Sequence, residues 1–127
     1  MPETIHKGNT MSVKHIYDLP LEAISAGEKT SKQVLISSEE GAHFAMRRFV
    51  IEPGGFMPLH SNSVEHEQFC IGGEADVIIG DERVTVKKND VVYIPANVPH
   101  SYKTISKEPF EFLCLVPNQE DVIQIIE

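Results

Sequence analysis

The chain has 127 residues, enough for one domain with a real core. With 41% hydrophobic and 24% charged residues it is too apolar for a disordered chain, and its apolar runs are far too short for a membrane span. The 19 acidic against 11 basic residues give a net charge of -8, a field that repels polyanions, so neither nucleic acid nor a membrane is an expected partner.

Met1 to Lys7 lead into no apolar signal region, which predicts a cytoplasmic protein. Residues 1–29 show no sustained period, and Pro20 argues against a long regular element, so they are expected to form an ordered but irregular arm, available for contact with another subunit. Gln33 to Ser37 reads as a short strand and Ser38 to Gly41 as a turn. Ala42 to Glu52 is the first long strand. It carries His43, Ala45, Arg47, Phe49 and Ile51 on one face and Phe44, Met46, Arg48, Val50 and Glu52 on the other. Glu52-Pro53-Gly54-Gly55 is expected to end it, because proline cannot donate to a ladder.

Beyond this point the strands are short and closely spaced. A turn over Ser61 to Glu65 leads into a strand through Phe69, Cys70 and Ile71 to Gly72-Gly73. Ala75 to Ile79, Val84 to Val86, Val91 to Ile94, Ser101 to Ile105 and Phe110 to Val116 follow, separated by Gly80 to Arg83, Lys87 to Asp90 and turns marked by Pro99 and Pro109. No helix of about ten or more residues is predicted before the tail, and the pattern is that of an all-β sandwich or small barrel. The tail, residues 119–127, alternates apolar positions at Val122, Ile123, Ile125 and Ile126; it pairs at an edge or frays. Cys70 and Cys114 lie in apolar strands of an expected cytosolic chain, so both are expected to be free thiols.

His60 and His66 flank the turn before the strand, and His100 follows the turn Pro95 to Pro99. Alternation puts His66, Gln68 and Cys70 on one face, His100 and Tyr102 on one face, and Phe112, Cys114 and Val116 on one face. A polar row entering a small barrel needs solvent, a ligand or a metal to satisfy it. Three imidazoles suit a divalent first-row ion and leave positions open for water or substrate. His6 and His15 lie in the arm and His43 has no matching turn, so ordinary hydrogen bonding is expected for those three.

Pro53-Gly54-Gly55 with Pro58 to Glu67 and Gly72-Gly73-Glu74 resembles the first motif of the cupins, and Asn89 to His100 resembles the second. The strands around Ala45-Met46-Arg47 and Phe112 to Pro117 add to the likeness, which covers roughly residues 30–118. It implies an antiparallel double-stranded β-helix, or jelly-roll barrel, over 30–118, usually dimeric, with one metal ion inside. Carried over position by position, the resemblance implies His60, His66 and His100 as metal ligands, with Asn62 where a further histidine usually stands. Glu67 is the alternative ligand, since it stands near a position other cupins use for a ligating glutamate. Asn89 and Asn97 replace glycines of the second motif, a change the fold tolerates because asparagine enters the left-handed region.

The ion implied is manganese or iron ahead of nickel or zinc. Gln68 and Tyr102 are candidate catalytic residues, and Arg48, Cys70, Phe112 and Cys114 candidate pocket-lining residues, with Arg47 as the alternative inward arginine. The expected function is a metal-dependent enzyme acting on a small organic molecule, a dioxygenase-like oxidoreductase slightly ahead of an isomerase. The alternative is a module that binds a metal or small ligand without turnover.

Overall fold

A computed structural model describes residues 8–126. The first seven residues of the predicted arm, His6 among them, and Glu127 of the tail lie outside the described residues. Among the described residues, ten strands follow a single 3-10 turn at Ile16–Asp18: β1 (Glu22–Ala23), β2 (Glu28–Ile36), β3 (Phe44–Asn62), β4 (His66–Gly72), β5 (Glu74–Ile79), β6 (Glu82–Lys87), β7 (Val91–Ile94), β8 (His100–Thr104), β9 (Phe110–Pro117) and β10 (Ile123–Ile125). All pairings are antiparallel, in the order β6-β5-β8-β3-β9-β4-β7, with β2 and β10 also on β3 and β1 on β2. The sheet is curled into the wall of a jelly roll, as the strand and turn pattern predicts. No described helix is long and apolar enough to cross a membrane.

The main departure from expectation is β3. The Pro53-Gly54-Gly55 segment does not end the strand; it bends it. Before the bend, Phe44 to Ile51 pair with Pro117 to Phe110 of β9. After it, Phe56 and Met57 pair with Lys103 and Tyr102 of β8, and His60 pairs with His100. Gly54 takes a left-handed φ of 82°, closed to most side chains. A Cβ on Gly55 would stand 2.7 Å from the Glu28 carbonyl oxygen. The glycines therefore act as a corner at which one strand changes partners, a known way for jelly rolls to join their two halves.

Smaller corrections have similar local causes. β2 begins at Glu28 rather than near Gln33, so the predicted boundary at residue 30 falls inside a strand. The hairpin between β5 and β6 needs only Gly80 and Asp81, with Ile79 opposite Glu82, because Gly80 takes φ 60°. Part of the arm is tied to β2, where Gln33 Nε2 donates to the carbonyls of Ile16 and Leu19 at 2.8 and 3.1 Å. The tail pairs at an edge, Ile123 to Ile125 running beside Asn62 to His60.

The core lies inside the curl, where period-two alternation delivers the apolar side chains: Ile51, Cys70, Ala75, Val77, Ile94, Phe110, Phe112 and Cys114. Phe110 is 1% exposed and packs against Tyr102 and Phe112. Removing such a ring leaves a cavity as well as losing its burial. Phe110→Ala is expected to lower unfolding stability by about 3–5 kcal/mol in urea titrations; a loss below about 1 kcal/mol would show that the barrel interior collapses freely around it.

Candidate metal centre

The β3 corner gives the site its geometry. His60 from the far half of β3 and His100 from the start of β8 are register partners, with ring centroids 4.2 Å apart. His66, at the start of β4, approaches from the other half of the barrel, its ring 5.7 Å from that of His100. All three are buried, at 6%, 1% and 5% exposure.

Each ring has a partner on one nitrogen. His60 Nδ1 is 2.8 Å from the Pro58 carbonyl oxygen, and His100 Nδ1 is 2.9 Å from that of Val98. A carbonyl only accepts, so both rings carry their proton on Nδ1, leaving Nε2 as a lone-pair donor. His66 Nδ1 lies 3.5 Å from the Cys114 thiol. On the other side, His66 Nε2 and His100 Nε2 are buried without a partner.

Asn62 shows the same asymmetry. Its Nδ2 donates to Asp121 Oδ2 at 2.9 Å, while its Oδ1 is buried and unpaired. Leaving these three polar atoms dry costs free energy that folding would otherwise avoid. With the His66 proton on Nδ1, an ion is the kind of partner that satisfies all three together. With metal–nitrogen bonds of about 2.0–2.1 Å, imidazoles on one ion stand roughly 4–6 Å apart between ring centres, the range observed here. Among the described residues, no group of three or more His, Cys, Asp or Glu side chains stands in an arrangement that could hold a metal ion. The donor types suit an ion, whereas their arrangement in this structure does not form a ligand set.

The residues below the histidines link the two halves of the barrel. Gln68 Nε2 on β4 donates to the Tyr102 hydroxyl on β8 at 2.8 Å, and lies 3.7 Å from Cys114 Sγ. Tyr102 stacks on Phe112, which stacks on Phe49. Burial pushes the Tyr102 phenol far above its ordinary pKa, so this group serves as a hydrogen-bond donor rather than an acid at neutral pH. Burial likewise raises the Cys114 thiol, so it remains protonated.

Several expectations need correction. Arg48 does not line the interior; it faces the opposite side of β3, held by Glu111 and by Gln33 Oε1. Arg47 is the inward arginine, its Nη2 3.6 Å from Cys114 Sγ and its guanidinium over the Phe49 ring. Alternation already grouped Arg47 with Ala45, Phe49 and Ile51. Glu67 points outward and exposed between buried His66 and Gln68, because no bulge interrupts β4 there. Cys70 belongs to the apolar core, its thiol donating to the Gly72 carbonyl. His43 lies outside the cluster, beside a groove with Glu65 and Glu67, and His15 Nδ1 accepts from the Tyr17 backbone.

Asp121 is the neighbour that sequence reasoning missed. It accepts from Asn62 Nδ2 and from the Ser63 backbone at 3.0 Å. It sits in a tail whose alternating pattern gave no sign of a polar role, and only the β10 pairing brings it to the cluster.

A single curled sheet with imidazoles converging from its two halves defines a jelly-roll protein with an internal polar site. The Cupin domain model matches residues 47–116, and the chain belongs to the cupin family. It is 33% identical over 79 residues to the xanthan biosynthesis protein XanB of Xanthomonas campestris, a match that spans 61% of this chain but 17% of that one. It is 28% identical over 95 residues to the 1-methylthio-D-xylulose 5-phosphate methylsulfurylase of Rhodospirillum rubrum, covering 75% of this chain and 60% of that one. The polyketide cyclase RemF of Streptomyces resistomycificus superposes with a TM-score of 0.85 at 24% identity, over 93% of this chain and 87% of that one. This last likeness is one of fold.

Burial lowers His66 to about 3, helped by the positive charge of Arg47, and lowers His100 to about 4. In the unfolded chain both titrate near 6.5, so between that value and about 4 the unfolded state binds more protons than the folded one. Stability of metal-stripped protein should be full above about pH 6.5 and fall as the pH is lowered towards about 4. Urea midpoints across that range test this, and the His66→Gln, His100→Gln double variant should flatten the profile. A wild-type midpoint that does not change with pH would contradict the buried, neutral assignment.

Proposed function

We propose that the protein is a metal-dependent cupin that acts on a small organic molecule. His60, His66 and His100 would hold one divalent first-row ion, and the Asn62 amide oxygen would either complete the set or bind a water beside it. The observation that carries this reading is the pair of buried, unpaired Nε2 atoms on His66 and His100 beside the unpaired Asn62 Oδ1. Manganese or iron is favoured over nickel or zinc because an amide oxygen is a hard donor. When bound, such an ion supplies Lewis-acid polarisation and open positions for a ligand.

This chain's own residues would do the rest. The Pro58 and Val98 carbonyls hold the His60 and His100 tautomers. Asp121 holds the Asn62 amide with its oxygen free. Gln68 orients the Tyr102 hydroxyl, whose own proton remains available to a bound oxygen atom. Isomerisation by proton transfer would need a base, and Tyr102, Cys114 and Gln68 are poor ones; Asp121 is occupied by Asn62 and Ser63. That balance favours dioxygenase-like oxidoreductase chemistry over isomerisation. It also favours the second reading, a module that binds its ligand without turnover.

A homodimer is proposed on separate grounds. Phe69, Val91 and Tyr93 stand exposed on the outer face of neighbouring strands β4 and β7, with Phe69 directly opposite Val91. An apolar group of this kind is a surface a second subunit would cover.

Elemental analysis of protein purified without added metal should give about one equivalent of a first-row ion per chain. His100→Ala and His66→Ala should each lose stoichiometric binding, and Glu67→Ala should retain it. Wild-type protein that stays empty after metal addition would overturn the reading. Sedimentation at low micromolar concentration should give a dimer that Val91→Glu weakens; a wild-type monomer would contradict the dimer.

A further inference from the structure

The unusual cation of this fold is Arg47. Arg48 has Glu111 and Arg83 has Asp76, but Arg47 has no carboxylate within salt-bridge distance among the described residues. Its Nη2 meets only a thiol, one guanidinium face lies on the Phe49 ring, and its Nε is buried without a partner. A guanidinium stripped of water on one side and given no counter-charge is held at a cost that an anion would relieve.

The space for an anion is present. A cavity of about 750 Å³ is lined by Arg47 together with Val34, Ala45, Val116, Pro117 and Asn118. Glu39 and Glu120 also line it, but neither comes within salt-bridge distance of Arg47. Asn118 does not bond an anion here, since its Nδ2 is taken by the Gly41 carbonyl and its Oδ1 only accepts, which leaves Arg47 as the cation lining the cavity. Arg47 thus stands between this cavity and Cys114, which in turn touches His66.

We propose that this cavity is the binding site for a small organic carboxylate with an apolar body, and that Arg47 is the residue that receives its carboxylate. The apolar wall of Val34, Ala45, Val116 and Pro117 takes the body. The planar guanidinium fork matches the carboxylate. The inference extends the reading above by naming the ligand class, and it rests on that reading only in placing the ligand beside the histidines.

The test uses full-length, metal-stripped protein, with metal content measured separately so that the two readings can fail independently. Calorimetric titration with phenylacetate should show saturable binding, with 2-phenylethanol and inorganic phosphate each at least about tenfold weaker. Arg47→Gln should weaken phenylacetate binding about tenfold or more, whereas Arg83→Gln, at the exposed β5–β6 hairpin, should leave it unchanged. If Arg47→Gln fails to fold by circular dichroism, the comparison of acid with alcohol on wild-type protein decides, together with Arg47→Lys, which should bind more weakly than wild type. Equal binding of acid and alcohol, unchanged binding by folded Arg47→Gln, or phenylacetate binding that appears only after metal is restored would each overturn the assignment. The last result would leave the histidine reading standing.

Discussion

The histidine cluster depends on β3 turning its corner. A 19-residue strand would normally belong to one sheet, yet this one pairs with β9 up to Ile51 and with β8 from Phe56. Pro53, Gly54 and Gly55 make that exchange possible: Gly54 adopts a backbone conformation closed to most residues, and Gly55 passes close to the Glu28 carbonyl. The bend carries His60 into register with His100, while the first half of β3 supports β9 and, through β9, the strand that bears His66. Without the corner, the imidazoles would have no common space.

The interior that results is divided by polarity. Toward one end, Phe110, Phe112, Tyr102 and Phe49 stack into an ordinary apolar core. Toward the other, the polar side chains are fixed on one side and free on the other. The histidine Nδ1 atoms and the Asn62 Nδ2 have partners, whereas the opposite atoms of His66, His100 and Asn62 have none. Disordered polar groups would not show this one-sidedness. The proposed metal reading rests on this one-sidedness, because hydrogen bonds on one side of a ring are what fix the tautomer and orientation of a ligating imidazole. Arg47 adds positive charge to the same interior, which further favours neutral imidazoles.

Much of this could be read in the sequence because strands write their burial in period two. His66, Gln68 and Cys70 alternate with exposed Glu67 and Phe69, as expected, and Asn89 and Asn97 take the left-handed conformations that replacing glycine requires. The alternation of residues 43–52 also set Arg47 with Ala45, Phe49 and Ile51, but both faces are mixed, so it could not say which one turned inward; that is decided by the curl of the whole sheet. Other features were not legible for physical reasons. A Pro-Gly-Gly segment ends a strand in most settings, and only the tertiary contact with Glu28 makes it a corner. Asp121 acquires its role through the pairing of β10 with β3, a long-range event with no local signal.

The central claim, that the three imidazoles converge on one ion, is tested most directly by anomalous diffraction from crystals grown with manganese(II). A single strong peak is expected inside the barrel, bounded by the Nε2 atoms of His60, His66 and His100, with the Asn62 oxygen on the ion or one water away. An empty interior, or a peak held by outward carboxylates such as Glu65 and Glu67, would contradict it.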